Sequence, residues 1–346
     1  MSFKFKKPLL VLTSFLILLI ILFFAFFTYL SSKLNYSPQQ LSSKLISTSQ
    51  SSQSDYQFNF LILGYDYRND IFEDSLNTDT IIFGNYQTAT NKIQLLPLPR
   101  DLWDYQNKFK INQIYQNALK GDTPISQTKS DFQQIIGQPI DKIMILSTQN
   151  IVDITELLGG LDIYLEKGFI DNEYPNQAYI DDPLSKAPIY TTIEFKDGWN
   201  HLDKTNLTQF IRSRKSSETA QDGGTDIGRI ERQQLLIETL TNKLKSDYLF
   251  NNPSQALKLY YYWQNSIQTD FNFDDLLKLV MKQKQKLLNL QIQKHSLTIG
   301  QTPQEGQIYH PQTFINKQWV FIPSTPDYSE LQKLVSQIID NQIQDK

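Results

Sequence analysis

The sequence predicts a mixed α/β sandwich, and three observations lead there. Short apolar runs bounded by turn residues recur at 58–63, 81–86, 92–98 and 140–146 and read as buried strands. Segments with apolar residues at helical spacing are interleaved with them, as at Ile151, Ile154, Leu157 and Leu158. No internal repeat is evident, so the strands and helices belong to layers and not to a solenoid.

The chain has 346 residues, enough for one large domain or two small ones. Its formal net charge is −3, which argues against nucleic-acid binding by bulk charge. There is no cysteine, which excludes disulfides, thiol catalysis and sulfur-ligated zinc. His201, His295 and His310 are far apart and lack a metal-ligand spacing.

Taken in order, Lys4, Lys6 and Lys7 precede an uncharged apolar run over residues 8–30, long enough to cross a bilayer as a helix. No small-x-small cleavage site follows, so an uncleaved anchor is expected. The lysines place residues 1–7 in the cytoplasm and everything after Leu30 outside. Residues 31–55, rich in Ser and Gln, read as a tether. The folded domain is expected over 56–250, and 251–346 as a helical extension packed on it.

Within the domain, the strand at 58–63 ends at Gly64, with Asp66 and Arg68 at its exit. Asn77-Thr-Asp-Thr80 leads into a second strand, Thr88–Asn91 turns, and Pro99-Arg-Asp101 closes a third. A short helix begins near Lys110. Helices follow over Ser126–Gly137 and Gln149–Leu158, the latter stopped by Gly159-Gly160, and Leu161–Leu165 is a further strand. Phe169–Pro188 reads as a long polar, acidic loop, and a helix opens at Leu202-Asp203 to end in Arg212-Ser-Arg214. Asp226–Ser246, Asn252–Gln268, Phe273–Leu290 and Tyr328–Ile343 read as helices, and Trp319–Ile322 as a strand.

Chemistry-bearing residues gather at strand ends and around Arg212–Gln234. Asp66 and Asp79 offer two carboxylates for Mg²⁺, which accepts few protein oxygens alongside phosphate and water. An aspartate at a loop also serves as a turn or cap residue. Arg229 and Gln233 share a helix face, and guanidinium forks near a helix N-terminus suit phosphate oxygens. The alternative is a solvated helix whose arginines pair with Glu218, Asp222 and Glu231.

These motifs together resemble the LytR-CpsA-Psr (LCP) family of envelope enzymes. The matching stretches are Leu63-Gly-Tyr-Asp-Tyr-Arg68, Thr78-Asp-Thr80, Leu98-Pro-Arg-Asp101, Lys110-Ile-Asn112, Leu158-Gly-Gly-Leu161, Arg212-Ser-Arg214 and Asp226-Ile-Gly-Arg-Ile-Glu-Arg-Gln233. The resemblance implies an α/β/α sandwich with a mixed central sheet and a polyprenyl tail held between sheet and helices. It implies transfer of a phosphorylated glycopolymer from a polyprenyl-pyrophosphate carrier to a cell-wall sugar hydroxyl, usually on peptidoglycan. Matched by position, Asp66 and Asp79 look like Mg²⁺ ligands. Arg100, Arg212, Arg214, Arg229 and Gln233 look like the pyrophosphate cradle, with Arg68, Lys110 and Asp226 supporting it.

Arg100 and Mg²⁺ would stabilise charge building on the leaving group, and either Asp79 or Asp101 would accept the hydroxyl proton. A polyprenyl-pyrophosphate hydrolase and a membrane-tethered sensor of lipid-linked precursors remain as alternatives. Asn77 stands where the family usually has arginine, so one phosphate contact is either missing or supplied by Arg68. Nothing in the acidic stretch 169–188 maps to a family motif, and no role is carried onto Arg232.

Overall fold

The computed structural model describes residues 57–65, 76–213, 226–245, 253–271 and 290–340, all within one compact unit. The strands are β1 (Gln57–Tyr65), β2 (Thr78–Gln87), β3 (Lys92–Pro97), β4 (Trp103–Asp104), β5 (Phe109–Lys110), β6 (Lys142–Ser147), β7 (Leu161–Leu165) and β8 (Phe169–Pro175). They continue as β9 (Tyr190–Phe195), β10 (Gly198–Leu202), β11 (Gln268–Thr269), β12 (Gln291–Lys294), β13 (Ile299–Gly300), β14 (Ile308–Tyr309) and β15 (Ile322–Pro323). The helices are α1 (Ile114–Ala118), α2 (Pro124–Ile136), α3 (Thr148–Leu157), α4 (Gln177–Asp181), α5 (Leu207–Arg212), α6 (Asp226–Lys245), α7 (Pro253–Ser266) and α8 (Ser329–Ile339).

Among the described residues the central sheet has six strands in the order β11-β6-β1-β2-β3-β12. β1 pairs antiparallel with β2 and parallel with β6, so the sheet is mixed. Its strands read as near-continuous apolar runs because helices cover both faces. On one face Leu61, Leu63, Ile143 and Ile145 meet Ile114 of α1, Phe132 and Ile136 of α2, and Leu331 and Val335 of α8. The opposite face turns Ile62 and Met144 toward α3, α5 and α6.

Two glycines fit this packing for steric reasons. Gly84 lies directly across from Phe60, whose ring sits 2.2 Å from where a Cβ would stand, so any side chain would displace the ring. Gly137 follows α2 at φ +74°, the left-handed cap that stops a helix without strain in glycine.

Several expectations need correcting. β1 runs through Gly64 to Tyr65, because both residues still pair with β2 and β6. The stretch over 169–188 is not a bare loop: β8 and β9 form a hairpin with α4 between them. Its inner side chains Phe169, Ile193 and Phe195 join a core with Leu161, Ile163 and Phe210, and this burial outweighs the acidic outer face. Leu202 ends β10, paired with β7, and the helix leading to Arg212 starts only at Leu207. The segment after 250 is not simply helical, since β11 and β12 extend the sheet at both edges. Of the expected strand at Trp319–Ile322, only Ile322–Pro323 forms one, with Phe321 bridged to Leu102. The apolar run at 8–30 and the helix expected over 273–290 lie outside the described residues. Among the described residues, no helix is long and apolar enough to cross a membrane.

Candidate functional site

A cavity of about 280 Å³ lies between the second face of the sheet and helices α3, α5 and α6. Ile62 and Met144 form part of its floor, Ile151 and Ile154 one wall, and Leu236, Ile237, Leu240 and Leu244 another. From Gln233 to Leu244 the helix makes eleven residue steps, a rise of roughly 16 Å. Polar lining comes from Asp79, Thr80, Ser147, Thr148, Arg212, Gln233 and Thr241. Gly64, Tyr65, Leu146 and Ser147 place one part of the lining at the carboxyl ends of the parallel pair β1 and β6, where open α/β sheets bind ligands.

Helix α3 begins there because Ser147 caps it. The serine hydroxyl accepts from Asn150 N at 3.1 Å, and the Asn150 side chain accepts from Ser147 N at 2.8 Å. This reciprocal arrangement satisfies amides that a helix start leaves open.

Asp79 sits near the start of β2, and Arg100 follows β3. They meet in an ion pair at 2.9 Å. Arg100 also approaches Asp101 at 3.5 Å, and Lys110 holds Asp101 at 2.6 Å. The result is a chain of alternating charge, Asp79–Arg100–Asp101–Lys110. Asp79 is the open end, with its side chain 36% exposed against 12% for Asp101.

Residues distant in sequence hold the Arg100–Asp101 corner. Asn112 N donates to Arg100 O, Ile111 N to Leu102 O, and Phe321 N to Asp101 O. Tyr328 receives a bond from Tyr105 N at 3.0 Å and donates to Trp103 O at 3.3 Å. Burial above all, then the nearby Asp104 carboxylate, pushes the Tyr328 phenol above its ordinary range, so it stays a neutral donor. The part of this support that Phe321 and Tyr328 supply comes from after residue 320, and no local pattern around Asp101 signals it.

The structure therefore joins Asp79, Arg100, Asp101 and Lys110 in one network, and puts Asp79 beside Arg212 and Gln233 in the lining of one cavity. Asp226 and Arg229 fall in the first turn of α6, where only the backbone is described. Asp66, Arg68 and Arg214 lie outside the described residues. The amide oxygen of Asn77 is buried with no hydrogen-bond partner among the described residues. Arg232, to which the sequence assigned nothing, is buried at 6% exposure and bonds the carbonyl oxygens of Phe210 and Ser213. Sequence reasoning missed it because a helix pattern does not say which side of an arginine faces the core.

A mixed α/β protein whose largely apolar cavity carries Asp79, Arg212 and Gln233 in its lining is suited to an amphiphilic anion. The model of the LytR_cpsA_psr family matches residues 23–336, and the chain belongs to that family. No curated relative matches the sequence. Among solved structures, TagV of B. subtilis superposes with a TM-score of 0.58 at 20% identity, covering 82% of this chain and 97% of TagV. The protein gbs0355 of Streptococcus agalactiae gives 0.58 at 19%, covering 82% and 88%. TagT solved bound to LIIa-WTA gives 0.55 at 14%, covering 82% and 91%. These likenesses show the fold, and the family supports a cell-wall glycopolymer transferase at the general level.

Proposed function

We propose that this chain is a membrane-anchored phosphotransferase. It takes a phosphorylated glycopolymer from a polyprenyl-pyrophosphate carrier and passes it to a sugar hydroxyl of the cell wall, peptidoglycan being the acceptor. The anchor is the apolar run over 8–30, with the domain on the outer side. The observation that carries this is the cavity lining, aliphatic along Leu236–Leu244 and charged at Asp79 and Arg212. An apolar chain gains by entering such a space and its pyrophosphate by meeting the arginines. The LIIa-WTA to which TagT is bound in its solved structure is consistent with it.

Mg²⁺ fits this donor set. Among the described residues no group of three acids or histidines gathers that could hold a metal, but Asp79 lines the cavity with a carboxylate that is 36% exposed and has one oxygen on Arg100. One or two carboxylates completed by substrate phosphate oxygens are what this ion accepts, and Asp66 would be the second. When bound, it supplies positive charge against the phosphate oxygens.

The chain's own groups do the rest. Arg212 and Gln233 bind the pyrophosphate, and Arg100 exchanges its contact with Asp79 for a phosphate oxygen. The acceptor oxygen attacks the glycan-linked phosphorus, its bond to the bridging oxygen breaks, and polyprenyl phosphate leaves. Asp79 takes the hydroxyl proton in this scheme on the oxygen that Arg100 releases, because the Asp101 carboxylate stays held by Lys110. Arg100 and Arg212 then offset the charge on the departing phosphate.

The test uses the full-length chain in detergent with a polyprenyl-pyrophosphate glycan, Mg²⁺ and a peptidoglycan acceptor. Polyprenyl phosphate is expected to appear only when acceptor is present. Equal release without acceptor would establish a hydrolase instead, and saturable binding without turnover a sensor.

A further inference from the structure

Ser213 stands between the two arginines of Arg212-Ser-Arg214 and is fully buried. It ends α5 in an extended conformation, φ −52° and ψ 137°, with its N–H on Gln209 O. Two other elements reach it. Asp171 of β8, 2% exposed, accepts from the Ser213 hydroxyl at 2.7 Å and from Glu173 N at 3.0 Å. Arg232 of α6 donates to Phe210 O at 3.1 Å and to Ser213 O, the carbonyls on either side of Arg212. Its guanidinium lies 4.5 Å from the centre of the Phe169 ring, which stacks on Phe195 at 5.0 Å.

The last carbonyls of a helix have no partner within it, and a cation there is favourable. A planar fork that spans two of them fixes their separation as well. Burying a carboxylate and a guanidinium is costly unless both are bonded in good geometry. Spending that cost on the residue between two arginines fixes the backbone from which Arg212 projects into the cavity.

We propose that Asp171, Ser213 and Arg232 are positioning residues, a buried clasp that sets where the Arg212 guanidinium stands. The β8–β9 hairpin thereby becomes part of the site's support. The inference rests on the reading of Arg212 as a pyrophosphate ligand, and a misplacement of about 1 Å at such a contact can cost a hundredfold in rate.

The experiment measures three quantities on the full-length chain: the rate at which phenylglyoxal modifies Arg212, read by peptide mass mapping; kcat and KM for transfer; and the melting temperature. In Ser213→Ala and Asp171→Ala the modification rate is expected to change severalfold and kcat/KM to fall at least tenfold, well below the melting temperature. Asp171→Asn keeps an acceptor for the hydroxyl and should restore most of both. In an Arg212→Ala background, Ser213→Ala should cost no further activity. Where Ser213→Ala fails to fold, Arg232→Lys and the Asp171→Asn/Asp171→Ala pair carry the same comparison. Variants that only lower the melting temperature overturn the clasp. Lost turnover with unchanged Arg212 modification also overturns it and leaves the pyrophosphate reading intact. Changed modification with full turnover upholds the clasp and removes the pyrophosphate role from Arg212.

Discussion

The two faces of the central sheet are built from alternate residues of the same strands, yet they serve different ends. On β1, Leu61 and Leu63 are wholly buried against α1, α2 and α8, while Ile62 between them is only half-buried. On β6, Ile143 and Ile145 are buried to within 1%, while Met144 faces the cavity. Both faces are apolar. The first is closed by helices that interlock with it, and the second is roofed by α3 and α6 at a distance that leaves room. The lesson is that hydrophobic character alone does not distinguish a core from a binding surface; the distance at which the covering helices sit does.

The sharpest way to break this comparison is by truncation. Leu63→Ala should cost about 2–5 kcal/mol, since it opens a void in a packed layer. Ile62→Ala, on the adjacent residue, should cost roughly 1 kcal/mol, in line with half-buried methylenes. Equal losses in urea unfolding would show that the second face is as tightly packed as the first.

Next in size are the arginines. Arg212→Ala should weaken binding of a polyprenyl-pyrophosphate analogue by about 1.5–3 kcal/mol, the value of a hydrogen bond to a charged group. That is about tenfold or more in affinity. Arg212→Lys should not recover it fully, because an ammonium lacks the bidentate fork. Isothermal titration with each variant checks both statements.

Filling the cavity separates the two faces from the other direction. Ile237→Trp should lower lipid affinity by about tenfold, while stability holds or rises by up to about 2 kcal/mol, as cavity filling does. A drop in melting temperature together with unchanged binding would place the lipid elsewhere.

The smallest effect is expected outside the cavity. Lys294 of β12 pairs with Glu238 of α6 at 2.6 Å, both side chains about a third exposed. Glu238→Gln should cost about 0–1 kcal/mol and less in high salt. A larger loss would mean that this pair holds the α6 roof in place.

Much of this was legible in the residues. The apolar runs at 58–63 and 81–86 gave strands because a sheet covered on both faces needs continuous apolar residues. Helix ends were marked by Gly137 and Gly159-Gly160, since their dihedrals are disfavoured in other residues. The placing of Asp79, Arg100 and Asp101 at strand ends was readable from the motifs, because adjacent strands bring their ends together; the pairing of Lys110 with Asp101 was not.

Folding decided what depends on contacts far apart in the chain. The 169–188 stretch looked like solvent-facing acid, yet Asp171 is buried because β9 and α5 supply its surroundings. Arg232 and Arg229 occupy the same helix three residues apart, and no local pattern marked Arg232 as the one turned toward the carbonyls of α5. The Arg100–Asp101 corner is held by Phe321 and Tyr328, more than 200 residues later. Local sequence carries periodicity and turn chemistry, which set the elements and their apolar faces. The partner of a buried polar group is set by which elements pack together, and that is a property of the whole chain.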